Sequence, residues 1–236
     1  MLPRVKKFLP LLIIIIAMVG VYASGLLDYL NLEQVKALRT ESQLFLDEYY
    51  AVGCLLFILA YAATVALSLP TALLLSLLGG ALFGPLYGTL HVIIGATLGA
   101  TIIFLAARSA LGNVLRARAN KFYDKVKNEM AENAISYMLF LRLVPVFPFF
   151  VVNILPALFQ VKLRDFIWTT AIGILPGTFV YVNLGTQLAE INNLSDLIST
   201  DLLLAFTLLG ILALTPTIIK KIRGKKLPEV PAEETK

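Results

Sequence analysis

Long runs of apolar residues alternate with short polar segments along this chain. Residues 8–27, 49–107, 166–189 and 202–219 contain no Asp, Glu, Lys or Arg. A helix needs about 20 apolar residues to cross a hydrocarbon core of about 30 Å, so these runs are long enough to enter a membrane. The pattern predicts an all-α integral membrane protein that crosses the bilayer several times.

The charged segments between the runs predict the orientation of the spans. Residues 28–48 carry five acidic and two basic side chains, whereas residues 108–133 carry six basic and three acidic ones. Because basic loops stay in the cytoplasm, we expect the first segment outside, as an amphipathic interfacial helix, and the second inside. Basic residues also flank the first and last runs, so both termini are expected in the cytoplasm. A cleaved signal peptide ending near Val21-Tyr22-Ala23 is the alternative for the N-terminus.

This orientation leaves two segments that enter and leave the membrane on the same face. Residues 49–86 begin and end outside, and residues 134–160 begin and end inside. Both contain residues that oppose a continuous helix, in which an interior proline costs about 3 kcal/mol. We therefore predict four full spans plus two re-entrant helical hairpins in an inverted repeat, with the broken segments facing protein. The predicted hairpin-shaping residues are Pro70, Gly79, Gly80, Phe83, Gly84, Pro145, Pro148, Pro156 and Gly177.

The same boundaries divide the chain into four parts. Residues 1–48 form the N-terminal span and the external amphipathic segment, and residues 49–187 form a core that contains both hairpins. Residues 188–223 form an external loop and the last span, and residues 224–236 form a disordered cytoplasmic tail. A weak repeat within the core relates Gly95 and Gly99 to Gly173 and Gly177. Inverted repeats of this kind meet near the bilayer midplane in secondary transporters.

Arg142 is the strongest candidate for a functional residue. Its position in an apolar arm places the guanidinium roughly 15 Å below the inner surface, where an arginine costs at least about 2.5 kcal/mol. The functional hypothesis is capture of a phosphate or carboxylate through bidentate hydrogen bonds. The structural alternatives are an ion pair with Asp165 and snorkelling to the interface. The predicted substrate-binding residues are Arg142, Arg108, Asn153 and Asp165.

The composition argues against catalysis and against nucleic-acid binding. The chain has 58% hydrophobic residues, one His and one Cys, and its mean hydropathy is +0.84. The sequence contains no metal-ligand cluster, no nucleotide-binding fingerprint and no nucleophile beside a base. The net charge of +5 comes from basic residues beside the apolar runs. We expect no enzyme activity, no cofactor, no metal and no nucleic-acid partner.

Two groups of motifs give the core a family resemblance. The first group is GGALFG at 79–84 with an F-x-x-x-R pattern from Phe104 to Arg108. The second is an R-x-x-P pattern from Arg142 to Pro145 with GILPGTF at 173–179. Over about residues 50–187 the chain resembles the DedA superfamily, also called VTT-domain or SNARE-associated Golgi proteins. The branch that it resembles contains the Tvp-type and related bacterial membrane proteins.

The resemblance implies two opposed re-entrant hairpins and movement of lipids across the bilayer. Its relatives include phospholipid scramblases and bacterial transporters of undecaprenyl phosphate. The first hairpin lacks the acidic cluster of the bacterial branch, which argues against proton coupling. The expected function is a transporter or scramblase of an anionic lipid, either a phospholipid or a polyprenyl phosphate. A non-transporting membrane scaffold and a small-anion carrier are the alternatives.

The expected partners and location follow from the same resemblance and charge pattern. Membrane lipids are the expected partners, and self-association into a homo-oligomer is left open. The expected location is the plasma membrane, as a bacterial inner-membrane protein with several spans.

Overall fold

The computed structural model describes residues 2–25, 32–117, 133–144, 147, 149–159 and 161–187, with isolated positions between 204 and 219. Across these ranges every regular element is an α-helix, which confirms the predicted all-α class. The helices are α1 (Leu2–Ala23), α2 (Leu32–Ala66), α3 (Ala72–Ala117), α4 (Ala134–Leu143), α5 (Phe149–Leu158) and α6 (Leu163–Thr186). The predicted external loop and cytoplasmic tail lie outside the described residues.

Three helical stretches are long and apolar enough to cross a membrane, namely Lys36–Ala66, Ala72–Ala110 and Leu163–Thr186. Two shorter apolar helices, Phe8–Ala23 and Ala134–Leu143, accompany them. Large apolar side chains such as Leu55, Leu98 and Ile172 remain exposed on the outer faces of the helices. Exposed apolar faces of this extent mark contact with an apolar environment, which for these helices is the lipid.

The second half of α2 and the first part of α3 form an antiparallel hairpin. The non-helical residue Tyr49 (φ −128°, ψ 52°) separates the polar first half of α2 from the apolar residues 50–66. The Phe83 ring lies 6.2 Å from the Tyr50 ring, and further along Tyr61 Oη lies 3.0 Å from Ser76 Oγ. The turn at 67–71 contains Pro70. The chain therefore returns to the level at which it started, with residues 50 and 83 at the same end.

The helix α3 consists of two helical segments, residues 72–83 and 85–117, which meet at Gly84. Gly84 has φ 73° and ψ 179°, a conformation that is essentially restricted to glycine. The chain reverses here, because a Cβ atom added to Gly88 would lie only 2.6 Å from the carbonyl oxygen of Gly79. In a continuous helix two residues at this sequence separation would be about 13 Å apart. Gly84 and Pro85 thus form the second turn of the first half of the protein.

Gly79 and Gly80 do not interrupt the helix, which corrects the expectation from the sequence. Both lie inside the segment 72–83 and shape the hairpin through contact. A Cβ added to Gly80 would overlap the carbonyl oxygen of Val182, and one added to Gly185 would overlap the carbonyl oxygen of Leu77. The two backbones therefore touch where the hairpin crosses α6, and only residues without a side chain permit such an approach.

The second segment of α3 and the helix α6 lie side by side in antiparallel orientation. Gly88 packs against Val182 near one end, and the rings of Phe104 and Phe166 stack with their centroids 4.3 Å apart near the other. Phe104, Phe166 and Val182 are fully buried, so this helix pair forms the centre of the described core. Each helix advances by about 24 Å between these two contacts, which is most of the thickness of a hydrocarbon core.

In the second half, α4 packs against α6, and α5 packs against α3. The helix α4 ends at Leu143, and Val144 is extended (φ −88°, ψ 109°). Pro145 and Pro148 lie outside the described residues. Pro156 lies in the last turn of α5 and does not break it. A proline has no backbone N–H and so removes one helix hydrogen bond, but α5 ends soon after this position.

The glycines of the weak repeat occupy comparable places on the two long helices. Gly95 contacts Tyr61 of α2, and Gly99 contacts the backbone of Ala62 in the same helix. Gly173 contacts Arg142 of α4 in the second half. Each long helix thus uses glycine to admit a helical arm at close range.

Candidate functional site

A cavity of about 260 Å³ lies where the first hairpin, the end of α4 and the helix α6 meet. The first hairpin contributes one part of the lining, and α4 and α6 contribute the other part. Its lining residues are Tyr61, Ala72, Leu73, Ser76, Arg142, Leu143, Gly173, Ile174, Gly177, Thr178 and Tyr181. Arg142 is the one charged residue among them. The cavity is therefore an apolar chamber with a cation and several hydroxyl groups.

Arg142 lies near the middle of the long helices rather than at their ends. It contacts α6 between Phe166 and Gly173, and Phe166 stacks on Phe104 of α3. The apolar part of α3 continues past this level to Ala110, which adds roughly 10–15 Å of helix. The depth of the guanidinium below the inner membrane surface stays a prediction.

The guanidinium of Arg142 has partners but no counter-ion within the described residues. Nη2 donates a hydrogen bond to Thr170 Oγ1 at 2.9 Å, and the guanidinium carbon lies 5.3 Å from the centroid of the Phe166 ring. Nε is buried and has no hydrogen-bond partner. The ion pair with Asp165, which was the structural alternative for this arginine, is not observed among these residues. A cation held by a hydroxyl group and a ring keeps donors available for an anion.

Gly173 determines where the stem of Arg142 can lie. A Cβ atom at Gly173 would be 2.8 Å from Arg142 Cβ and 3.1 Å from Arg142 Cγ. Carbon atoms normally approach to about 3.5–4.0 Å, so no larger residue fits without displacing the stem. The glycine thus lets α4 press its arginine against α6.

Arg108 belongs to an aromatic stack and does not line the cavity. Its guanidinium carbon lies 5.9 Å from the centroid of the Phe104 ring, and the Phe104 ring stacks on Phe166 at 4.3 Å. Arg142 approaches the Phe166 ring in turn. Cation–π contacts of this kind contribute about 0.5–2 kcal/mol each. The two predicted arginines are therefore joined through a stacked pair of phenylalanines, with Arg142 alone at the cavity.

Asn153 and Asp165, the other two predicted substrate-binding residues, also lie outside the cavity lining. Asn153 is fully buried, and within the described part of the chain neither its Nδ2 nor its Oδ1 has a hydrogen-bond partner. Asp165 lies in the first turn of α6, where its backbone carbonyl accepts a hydrogen bond from Thr169. Of the four predicted residues, the structure brings only Arg142 to the cavity.

The hydroxyl-bearing residues of the site were not among the predicted ones. Thr170 holds the arginine, and Tyr61, Ser76 and Thr178 line the cavity. The one feature of the sequence that points to these residues is a hydroxyl group inside a charge-free run. This feature does not identify a site, because such hydroxyl groups often form hydrogen bonds within their own helix. Thr170 also donates to the carbonyl oxygen of Phe166 at 2.6 Å. Which of them face a cavity depends on how the helices pack.

The geometry defines a helical membrane protein in which the first hairpin, α4 and α6 line a cavity, and the arginine in its lining has no ion pair within the described residues. Within the described ranges no group of His, Cys, Asp or Glu side chains is arranged to hold a metal ion. The VTT domain family matches residues 69–187, which contain the chain reversal at Gly84, all the cavity-lining residues except Tyr61, and α6. The chain is a multi-pass membrane protein that belongs to the VTT domain family, which confirms the resemblance seen in its motifs.

Several eukaryotic proteins are similar to the chain over much of its length. The Transmembrane protein 41 homolog of Dictyostelium discoideum is 33% identical over 197 residues, which cover 81% of this chain and 58% of that protein. Transmembrane protein 41B of Danio rerio is 28% identical over 201 residues, covering 84% and 71%. The Transmembrane protein 41 homolog of Caenorhabditis elegans is 30% identical over 117 residues, covering 50% and 47%. No solved structure matches the chain significantly.

Proposed function

We propose that the protein moves an anionic lipid, a phospholipid or a polyprenyl phosphate, from one leaflet of the bilayer to the other. The observation that carries this proposal is Arg142, a cation that lines a cavity and forms no ion pair in the described part of the chain. An arginine at the bilayer centre costs at least about 2.5 kcal/mol. A lipid phosphate would compensate the charge through bidentate hydrogen bonds, while the lipid tails stay outside the protein.

The proposal includes four full spans and two re-entrant hairpins of opposite orientation within the core 49–187. In support, the first hairpin returns to its starting level, since the rings of Tyr50 and Phe83 are 6.2 Å apart. The segment 72–83 is only about 18 Å long, too short for a hydrocarbon core of about 30 Å. Together with the charge pattern, this supports a proposed topology in which residues 49–86 begin and end at the external face and both termini lie in the cytoplasm. The proposed location is the bacterial plasma membrane.

The residues near the cavity have distinct roles in this proposal. Arg142 binds the phosphate, and Thr170 orients the guanidinium through its 2.9 Å hydrogen bond. Arg108 is a positioning residue that acts through the stacked rings of Phe104 and Phe166. Asn153 and Asp165 take no direct part, because neither lines the cavity. The cation and the hydroxyl groups of the cavity let a head group cross at a depth where lipid tails would exclude it.

Reconstitution of Arg142→Ala tests the proposal directly. Purified protein in liposomes should expose inner-leaflet, tail-labelled lipid to a membrane-impermeant quencher, and this variant should lose most of that activity. Arg142→Lys keeps the charge but not the planar fork, so it should retain a part of the rate. Removal of an intramembrane cation that has no ion pair in the described part of the chain should not lower the melting temperature.

Arg164→Ala is the matched control, because Arg164 is an exposed arginine on α6 outside the cavity. It should move lipid at the wild-type rate. A wild-type protein that leaves the inner leaflet protected would indicate a scaffold. Uptake of labelled inorganic anions without lipid movement would indicate a small-anion carrier. A folded Arg142→Ala protein with the wild-type rate would refute the role of the cation.

A further inference from the structure

The cavity wall that the first hairpin contributes carries a short chain of hydrogen bonds. Ser76 Oγ donates to the carbonyl oxygen of Ala72 at 2.9 Å. Tyr61 Oη lies 3.0 Å from Ser76 Oγ and 3.3 Å from the same carbonyl oxygen. Tyr61 and Ser76 both line the cavity, although each is almost completely buried. Two hydroxyl groups from different helices are therefore held together at the tip of the first hairpin.

This chain of hydrogen bonds leaves the wall with acceptors and no free hydroxyl proton. Ser76 donates to the Ala72 carbonyl or to Tyr61, and Tyr61 donates to the same carbonyl or to Ser76, so both protons are used within this group. A hydroxyl oxygen has two lone pairs besides its proton, and at least one lone pair of Tyr61 Oη remains available. Arg142 in the same lining offers only donors. The guanidinium is thus a positively charged donor, and the Tyr61–Ser76 pair is a neutral acceptor.

We propose that Tyr61 and Ser76 select lipids whose head group carries a hydrogen-bond donor beyond the phosphate, such as a primary ammonium or a hydroxyl group. The inference rests on the proposed function, because it assigns the phosphate to Arg142. A pocket for a drug-sized ligand has about 300–1,000 Å³, so a cavity of about 260 Å³ suits a phosphate with a short substituent. The lipid tails do not fit in it.

The expected preference follows from the cost of an unmet hydrogen bond. A phosphocholine head group has a quaternary ammonium without N–H, so it leaves the Tyr61 acceptor without a donor. Sites that are built to hydrogen-bond a substrate group discriminate against analogues that lack the group. For one such bond at a partly open site we expect about tenfold. Phosphoethanolamine and phosphoglycerol head groups can bind Arg142 through the phosphate and can also donate a hydrogen bond to Tyr61.

The experiment compares lipids that differ only in the head group. Liposomes of one carrier composition contain tail-labelled phosphatidylethanolamine, phosphatidylglycerol or phosphatidylcholine, and movement is followed with a membrane-impermeant quencher. The wild-type protein should move the first two about tenfold faster than the third. Tyr61→Phe should slow the first two to the phosphatidylcholine rate and leave that rate unchanged.

Tyr50→Phe is the matched control, since Tyr50 lies on the same helix and is exposed. Ser76→Ala removes the partner that orients the Tyr61 hydroxyl, so it should also reduce the preference for phosphatidylethanolamine and phosphatidylglycerol over phosphatidylcholine. This variant tests the inference if Tyr61→Phe does not fold. Equal wild-type rates for the three lipids, or equal slowing of all three by Tyr61→Phe, would overturn the inference but leave lipid movement intact.

Two further outcomes separate this inference from the proposed function. A wild-type protein that moves none of the three lipids would refute lipid movement itself. Uptake of labelled glycerophosphoethanolamine into the liposomes would show that the cavity serves a soluble phosphate ester, and would overturn the assignment to a lipid head group.

Discussion

Gly173 lies against the stem of Arg142, so this position allows the cation to be moved without being removed. In Gly173→Ala the new Cβ would be 2.8 Å from Arg142 Cβ and 3.1 Å from Arg142 Cγ. Because carbon atoms normally stay about 3.5–4.0 Å apart, the arginine stem must retreat by about 1 Å. That retreat would lengthen the 2.9 Å hydrogen bond to Thr170 beyond the limit of about 3.2 Å for such a bond.

The functional cost of this retreat can be estimated from the bond that it breaks. A hydrogen bond to a charged group contributes about 1.5–3 kcal/mol, and each 1.36 kcal/mol corresponds to a factor of about ten in rate. We therefore expect Gly173→Ala to move lipid at least about tenfold more slowly than the wild type. Overpacking costs about 1–3 kcal/mol, but alanine in a helix recovers about 1 kcal/mol relative to glycine. The variant should therefore remain folded.

The assay is the initial rate of quenching of tail-labelled lipid in liposomes, with protein amount and folding checked by size-exclusion chromatography. Gly20→Ala is the matched control, because it is also a glycine inside a helix and nothing lies within 4 Å of its added Cβ. It should move lipid as the wild type does. A folded Gly173→Ala protein with the wild-type rate would show that the exact place of the guanidinium does not matter, and the binding role of Arg142 would have to be abandoned.

Two further predictions address the backbone and the buried polar group. Gly84→Ala should lower the free energy of unfolding by about 1–3 kcal/mol. The cost comes from the backbone, because Gly84 has φ 73° and nothing lies within 4 Å of its added Cβ. An unchanged melting temperature in detergent would contradict the strained turn. Asn153→Leu should keep or raise the melting temperature, because it removes a buried amide that has no hydrogen-bond partner in the described part of the chain. Its lipid movement should stay at the wild-type rate, whereas loss of activity in the folded variant would place Asn153 among the substrate contacts.

Much of the fold was accessible from the sequence because the controlling features are local. The charge-free runs predict helices in lipid from their length alone. The conformation at Gly84 belongs to glycine, and a proline cannot complete a helix hydrogen bond, so the reversal at Gly84-Pro85 needs no knowledge of distant residues. Residues 50–66 begin directly after Tyr49, where the acidic segment gives way to an apolar one.

Glycine shows where local reasoning fails. Gly84 bends the chain, whereas Gly80 stays in a helix and admits the carbonyl oxygen of Val182. The two glycines are close in sequence and have the same intrinsic freedom. Which role each of them takes depends on the neighbour that approaches, and that neighbour lies on a helix far along the chain.

By itself the sequence determined that the chain lies in a membrane as helices, that it is broken at particular points, and that Arg142 carries an expensive charge. These conclusions depend on transfer energies and backbone sterics, which each residue carries with it. Only the tertiary structure decided that Arg142 lies beside Thr170 and lines the same cavity as Tyr61. It also decided that Arg108, Asn153 and Asp165 lie outside that cavity. Side-chain neighbours across helices depend on which faces pack together, and in lipid that choice follows shape rather than polarity.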